Sequence, residues 1–285
     1  MKKLIFPALL TNSAGLTIAF PSKAYSQSMD ACDRSYSITD QNTGLTSTKT
    51  LAELTDQEFS QNNQNGCAMT PEKYEIVIYE MGLCTGSGSP ISGGTLDRTN
   101  CTATFTNSSG QTVDLAGSNS VTLDASSASK PPANTYTWGY MVMANTFGLK
   151  GSLATSENTW RTTSTTAASS SSSSNAEFTE SLTDFGSGNT CESSGQATMA
   201  LGTMSAIVTD SDLNEDTTCS SNIITRLIGA FSPNTSYTIT DSTTAVKITF
   251  TVTDNGMSVL PNPSSPFGVD EFGSGPFQME ITTIE

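Results

Sequence analysis

The run KYEIVIYEMGLC at residues 73–84 constrains the fold more than any other stretch, because it carries β-branched and aromatic side chains on both of its faces. In an extended chain Tyr74, Ile76 and Ile78 fall on one side, and Val77, Tyr79 and Met81 on the other. A strand that is apolar on both sides needs cover on both sides, so the run predicts a central strand. Its charges, Lys73, Glu75 and Glu80, sit mostly toward the ends, where they are expected to reach water. The run is expected to stop at Gly82, since the glycines and proline of the following CTGSGSPISGG cannot continue a regular element.

Residues 1–26 read as a secretory leader: Lys2 and Lys3 give a basic start, no charge follows up to Phe20, and Ala24-Tyr25-Ser26 supplies a small-x-small cleavage pattern. The competing reading, an uncleaved membrane anchor, is weakened by Pro7, Asn12 and Ser13. No later segment is apolar enough to span a bilayer, so the mature chain is expected without a transmembrane segment and outside the cytoplasm: extracellular, at the cell surface or in the periplasm. All six cysteines lie beyond the leader, and in an exported chain an even number implies disulfides. Spacing alone leaves their connectivity open. A nearest-neighbour scheme is expected: Cys32 with Cys67, Cys84 with Cys101 and Cys191 with Cys219. A zinc site is the other use of thiols, but the chain has no CxxC and no histidine.

Charged residues make up 14% of the chain, against a usual share of roughly 25%. Serine and threonine take their place. The formal net charge is −15, and cleavage of the leader would remove Lys2, Lys3 and Lys23 but no acid. Such a surface repels phosphate backbones and anionic lipid, which excludes nucleic acid as an expected partner. The second half of the chain is the more acidic.

Thr50-Leu51-Ala52-Glu53 has capping-box spacing and predicts a short helix over residues 51–58. TATFT at 102–106 predicts a strand, Asn107-Ser108-Ser109-Gly110 a turn, and residues 112–115 the next strand, with a further short one at 121–123. YTWGYMVMAN at 136–145 places Tyr136, Trp138, Tyr140 and Val142 on one face. This aromatic row is the wall of a core or, alternatively, a platform on which sugars stack. TTSTTAASSSSSSN at 162–175 has no side chain able to bury much surface, and reads as a mobile linker or an exposed loop. Beyond it, strands are expected at 198–201 and 205–208, a short helix at 222–228 capped by Ser220 or Ser221, a hairpin of 237–240 with 246–252, and an alternating terminal strand at 277–281. Asp184-Phe185-Gly186-Ser187-Gly188 echoes Glu271-Phe272-Gly273-Ser274-Gly275, too briefly to imply a repeat architecture.

Without histidine, Ser/His/Asp and Cys/His nucleophilic arrangements cannot be built. No glycine pattern matches a nucleotide-binding loop. Asp210, Asp212, Asn214 and Asp216 place oxygen ligands at alternate positions, as a calcium loop does, but Glu215 and Ser221 stand where an EF-hand loop has glycine and glutamate. The quartet is thus either a calcium site, calcium being the one cofactor these residues suggest, or a plain solvated acidic loop. A glycoside hydrolase needs two carboxylates, for which Glu80, Asp97, Asp184 and Asp270 are nominees that nothing in the sequence distinguishes from surface acids.

The expected fold is all-β, mainly antiparallel, of β-sandwich or jelly-roll type, with one or two short helices. Residues 27–161 and 177–285 form two β-rich regions, or parts of one sandwich, around the 162–176 segment. The expected role is a non-catalytic structural or adhesive protein of a bacterial surface, matrix or filament, acting by self-association or on surface glycans. Behind it stands a carbohydrate-binding or calcium-dependent recognition module using Tyr136, Trp138 and Tyr140, and behind that a polysaccharide hydrolase.

Overall fold

A computed structural model describes residues 29–39, 43–116, 128–186 and 190–285, together with the backbone of 22–23. The leader, apart from those two residues, and the strand expected at 121–123 lie outside the described residues. The chain is an all-β protein of mostly antiparallel strands, with one α-helix and one 3-10 turn among the described residues. Its main body is a nine-stranded sheet that curls until it nearly closes into a barrel.

That sheet is built on β1 (Lys73–Cys84), whose two edges are both paired. One edge takes β2 (Cys101–Asp114) along its whole length. The other takes β3 (Trp138–Ala144) and then β4 (Thr146–Lys150). Tyr74, Ile76 and Ile78 are buried on the inner side, while Arg226 lays its guanidinium 3.9 Å from the Tyr79 ring centroid on the other. The strand does not stop at Gly82 but runs to Cys84, because β2 and β3 keep both of its edges paired through Cys84, while Gly82 leaves room for Tyr140 to cross.

Asn145 sets the branching of the sheet. Its N–H donates to Thr225 O at 3.4 Å, its C=O accepts from Leu182 N at 2.7 Å, and its side-chain Nδ2 donates to Leu182 O at 3.1 Å. The ribbon thereby leaves one partner for another: β4 pairs with β5 (Phe178–Asp184), whereas β3 pairs with a strand that begins at Arg226. From β3 the sheet continues outward in reverse chain order. The hairpin of β6 (Ser194–Met199) and β7 (Gly202–Thr209) turns at Ala200-Leu201, and β8 (Arg226–Pro233) lies between β7 and β3. Strands from both sides of the 162–176 segment thus share one sheet.

Four further local expectations differ from the structure. Residues 222–228 form no helix: Ile223 and Ile224 donate to Ser220 O in a single turn, and from Arg226 the chain is a strand. Pairing on both edges of β8 outweighs a helical spacing of four apolar residues. The 237–240 and 246–252 segments are not each other's hairpin partners. Tyr237–Ile239 pairs with Asn134–Tyr136, and β9 (Ala245–Thr251) pairs with the C-terminal strand. Residues 107–110 have turn chemistry, with Ser109 N–H donating to Asn107 Oδ1 at 3.0 Å and Gly110 at φ +78°, yet the chain does not reverse there. They bulge out opposite Tyr79, between the Ile78↔Gln111 and Glu80↔Thr106 pairs, and β2 resumes along the same partner. The 51–58 helix divides into a 3-10 turn at Leu51–Glu53, capped by Thr50 and Glu53, and α1 (Asp56–Asn62), whose own capping box is Thr55 with Glu58.

The second layer is made of small sheets. β10 (Met257–Asn262) lies between β11 (Gly268–Ser274) and Cys67–Met69, and β12 (Gln278–Ile284) pairs with β9. In the Ser/Thr-rich segment Ala168–Ser169 pairs with the Thr159–Thr162 strand, and Thr166 O accepts from Phe272 N at 2.8 Å. The three disulfides link Cys32 to Cys67, Cys84 to Cys101 and Cys191 to Cys219, the nearest-neighbour scheme. Among the described residues no helix is long and apolar enough to cross a membrane.

Candidate functional site

At the β6 end of the sheet, three small residues stand in a row across three strands. Gly195 of β6 is opposite Ala206 of β7, Ala206 is opposite Gly229 of β8, and the row ends against Met141 of β3. Neighbouring rows are taller, with Leu227 on one side and Met204 and Phe231 on the other. Side chains two apart on a strand share a face, so the small row is the floor of a trough crossing the strands. A β-carbon placed on Gly229 would meet no atom within 4 Å, whereas one on Gly195 would lie 2.7 Å from Phe185 Cδ1. The trough therefore opens at its centre and is bounded by Phe185 toward the β6 edge.

The hollow holds about 100 Å³. Its inner wall is buried and apolar, formed by Tyr74, Met143, Phe147 and Leu182, and its roof is the segment from Ser274 to Phe277. Two polar groups fix that roof. The Tyr74 hydroxyl donates to Gly275 O at 2.8 Å, and the buried carboxylate of Glu180 accepts from the backbone N–H of Ser274. Desolvation, with the Glu180 charge beside it, pushes the Tyr74 phenol far above its ordinary pKa. Tyr74 and Glu180 thus hold main chain, and what faces the trough is mostly hydrocarbon, with Gln196 and Ser274 the polar residues of its lining. Such a site retains an apolar group by excluding water, at roughly 25 cal/mol per Å² of apolar surface covered.

The structure distributes the sequence-nominated residues elsewhere. Tyr136 and Tyr140 are each 1% exposed and belong to different clusters. The strand breaks at Thr137, so Tyr136 packs with Leu83, Phe231 and Ile239, while Tyr140 packs with Val142 and Ile228 beside half-buried Trp138. The aromatic row is split, and the two tyrosine rings are enclosed. In the acidic loop, Asp210 Oδ1 accepts from the N–H groups of Asp212 and Asn214, both at 2.9 Å. Asp216 accepts from Thr218 Oγ1 at 2.5 Å and from the N–H groups of Thr218 and Ser220, both at 2.9 Å. The bond from Asn214's N–H holds the Asp210 carboxyl below its usual range, and those from Thr218 and Ser220 do the same for Asp216. Asp212 and Asn214 are exposed. Among the described residues no group of three or more Cys, Asp or Glu side chains is placed to hold a metal ion.

The nominated carboxylates have separate local tasks. Glu80 receives Arg98 through two bonds of 2.9 and 2.8 Å and the Tyr140 hydroxyl at 2.6 Å. Asp97 caps its own turn at Thr99, Asp184 caps Gly186, and Asp270 is exposed. Sequence reasoning missed Glu180, although its signal was present. In FTESLTD it falls in step with Phe178 and Leu182, a charge on the apolar side of an alternating strand. The trough had a weaker signal, small residues at alternate positions in segments whose pairing was not yet known. No family model matches this chain, and neither a curated protein nor a solved structure does.

Proposed function

We propose that this chain is an exported, non-catalytic structural or adhesive protein of a bacterial surface, extracellular matrix or filament, whose working surface is the β6–β7–β8 end of the sheet. The observation that carries this reading is the trough: a mostly apolar hollow at the edge of a sheet, where Tyr74 and Glu180 are spent on backbone. Such a hollow suits the capture of an apolar group from a partner better than the stabilisation of developing charge. Three disulfides fit an oxidising destination, and a strongly acidic, Ser/Thr-rich exterior fits a protein that works in contact with water.

The test is fractionation and electron microscopy of the protein expressed with its own leader. Assembled or surface-bound material outside the cytoplasm is the expected result. Protein that remains monomeric and adheres to no cell or matrix preparation would overturn the reading.

A further inference from the structure

We infer that the outer edge of β6 is the surface through which two copies of this chain join, strand to strand and antiparallel, so that the sheet continues across a two-fold axis. The inference deepens the assembling role proposed above and rests on it. Ser193 O accepts from Val208 N at 2.9 Å, so the odd-numbered residues along β6 are those that exchange backbone bonds with β7. The N–H and C=O groups of Ser194, Gln196 and Thr198 therefore point away from the sheet. Among the described residues no strand pairs with that edge; just before β6, on the same side, Glu192 O accepts from Phe185 N at 2.8 Å, so the open stretch is Ser194 to Thr198.

Natural sheets protect an open edge with lysine, proline, a bulge or a covering segment. β6 has neither charge nor proline, and its register with β7 runs from Ser194↔Ile207 to Met199↔Gly202 without a shift. The outer edge of β2 shows the contrast: that strand bulges at residues 107–110, and Phe105 is bridged by Ala128. Charge selects the partner. Two copies of a chain with net charge −15 repel wherever their acids meet, but residues 193–209 carry no charged side chain. Leu201, at the tip of that hairpin, is 40% exposed and adds apolar surface. A basic partner would be drawn to the acid-bearing loops instead. In the symmetric register Gln196 faces Gln196 of the second copy, and Gly195 faces Ala197, small residues that let the backbones close.

Sedimentation velocity of the full chain over a concentration series tests this. A concentration-dependent dimer is expected. Gln196→Lys puts two like charges opposite each other, and Gln196→Pro removes an outward N–H without touching the β7 ladder. Each weakens the dimer about tenfold or more, while Ser47→Lys, the same charge on an exposed strand elsewhere, leaves it unchanged. Circular dichroism and melting confirm that the monomer fold is kept. As a second measurement, Gln196→Cys gives disulfide-linked dimers on oxidation, since the two Cα atoms would be about 5.5 Å apart. A chain monomeric at every concentration, a dimer indifferent to both Gln196 variants, an edge occupied only by a different protein, or no crosslinking would each overturn the inference. If assembly persists in the Gln196 variants, this edge is eliminated while the structural role stands; if the wild type neither assembles nor adheres, both fail.

Discussion

Tyr140 lies across Gly82 on the neighbouring strand: the two are register partners, and a β-carbon at Gly82 would collide with Tyr140 Cε1. The ring needs that gap to bring its hydroxyl 2.6 Å from Glu80 Oε1. Gly82→Ala is therefore expected to cost about 1–3 kcal/mol, the usual range for overpacking a filled site. Urea denaturation measures it, and a change near zero would show that the ring moves aside freely.

The same network sets a pH dependence. Burial alone would raise the Glu80 carboxyl, but bonds from Arg98 and Tyr140 outweigh it and hold the carboxyl below its ordinary value. A folded-state pKa below the unfolded one contributes stability above the ordinary carboxylate range, near about 4, and that stability is lost as pH falls through the folded value. Glu58, opposed by burial but bonded by Lys49, and Asp216, bonded by Thr218, act in the same sense. The melting temperature is thus expected to fall on acidification below the carboxylate range. Arg98→Met should lower stability by about 1 kcal/mol at neutral pH and flatten that acid limb, as a melting series across pH would show.

Cys84 and Cys101 are direct register partners on β1 and β2, and their bridge closes a sequence separation of 17. Replacing both by alanine is expected to cost about 3 kcal/mol by freeing the unfolded chain. Chemical denaturation under non-reducing conditions gives the value.

Asp56, at the start of α1, is 6% exposed and accepts from Thr155 Oγ1 at 2.6 Å, Asn158 Nδ2 at 2.6 Å and Trp160 Nε1 at 3.0 Å. Asp56→Ala leaves three donors without their acceptor, and a loss of about 2–4 kcal/mol is expected. Trp160 fluorescence should shift as its indole N–H loses its partner; an unchanged spectrum and stability would refute this role.

Gly229→Val fills the floor of the trough. Because a β-carbon there meets open space, stability should change by less than about 1 kcal/mol, while enhancement of an uncharged apolar dye such as Nile red should drop sharply. Dye binding equal to wild type would place the apolar site elsewhere.

Local chemistry made much of this fold legible. The two-sided apolar run at 73–84 became the strand paired on both edges, and the capping spacing at Thr50 became a capped turn. Cysteines close in sequence were joined, since short loops close readily. What the residues alone determined was therefore class, centre and the presence of crosslinks, whose pairing the structure fixed. Partner choice was left to the tertiary structure. Ile224, Leu227 and Ile228 fit a helical stripe until β3 and β7 offer two edges, and residues 107–110 fit a hairpin turn until β1 keeps both flanking segments. Gly195, Ala206 and Gly229 are ordinary small residues until pairing sets them in one row. Strand pairing is a long-range choice made by which edges and faces are free to be covered, and no single segment carries that information.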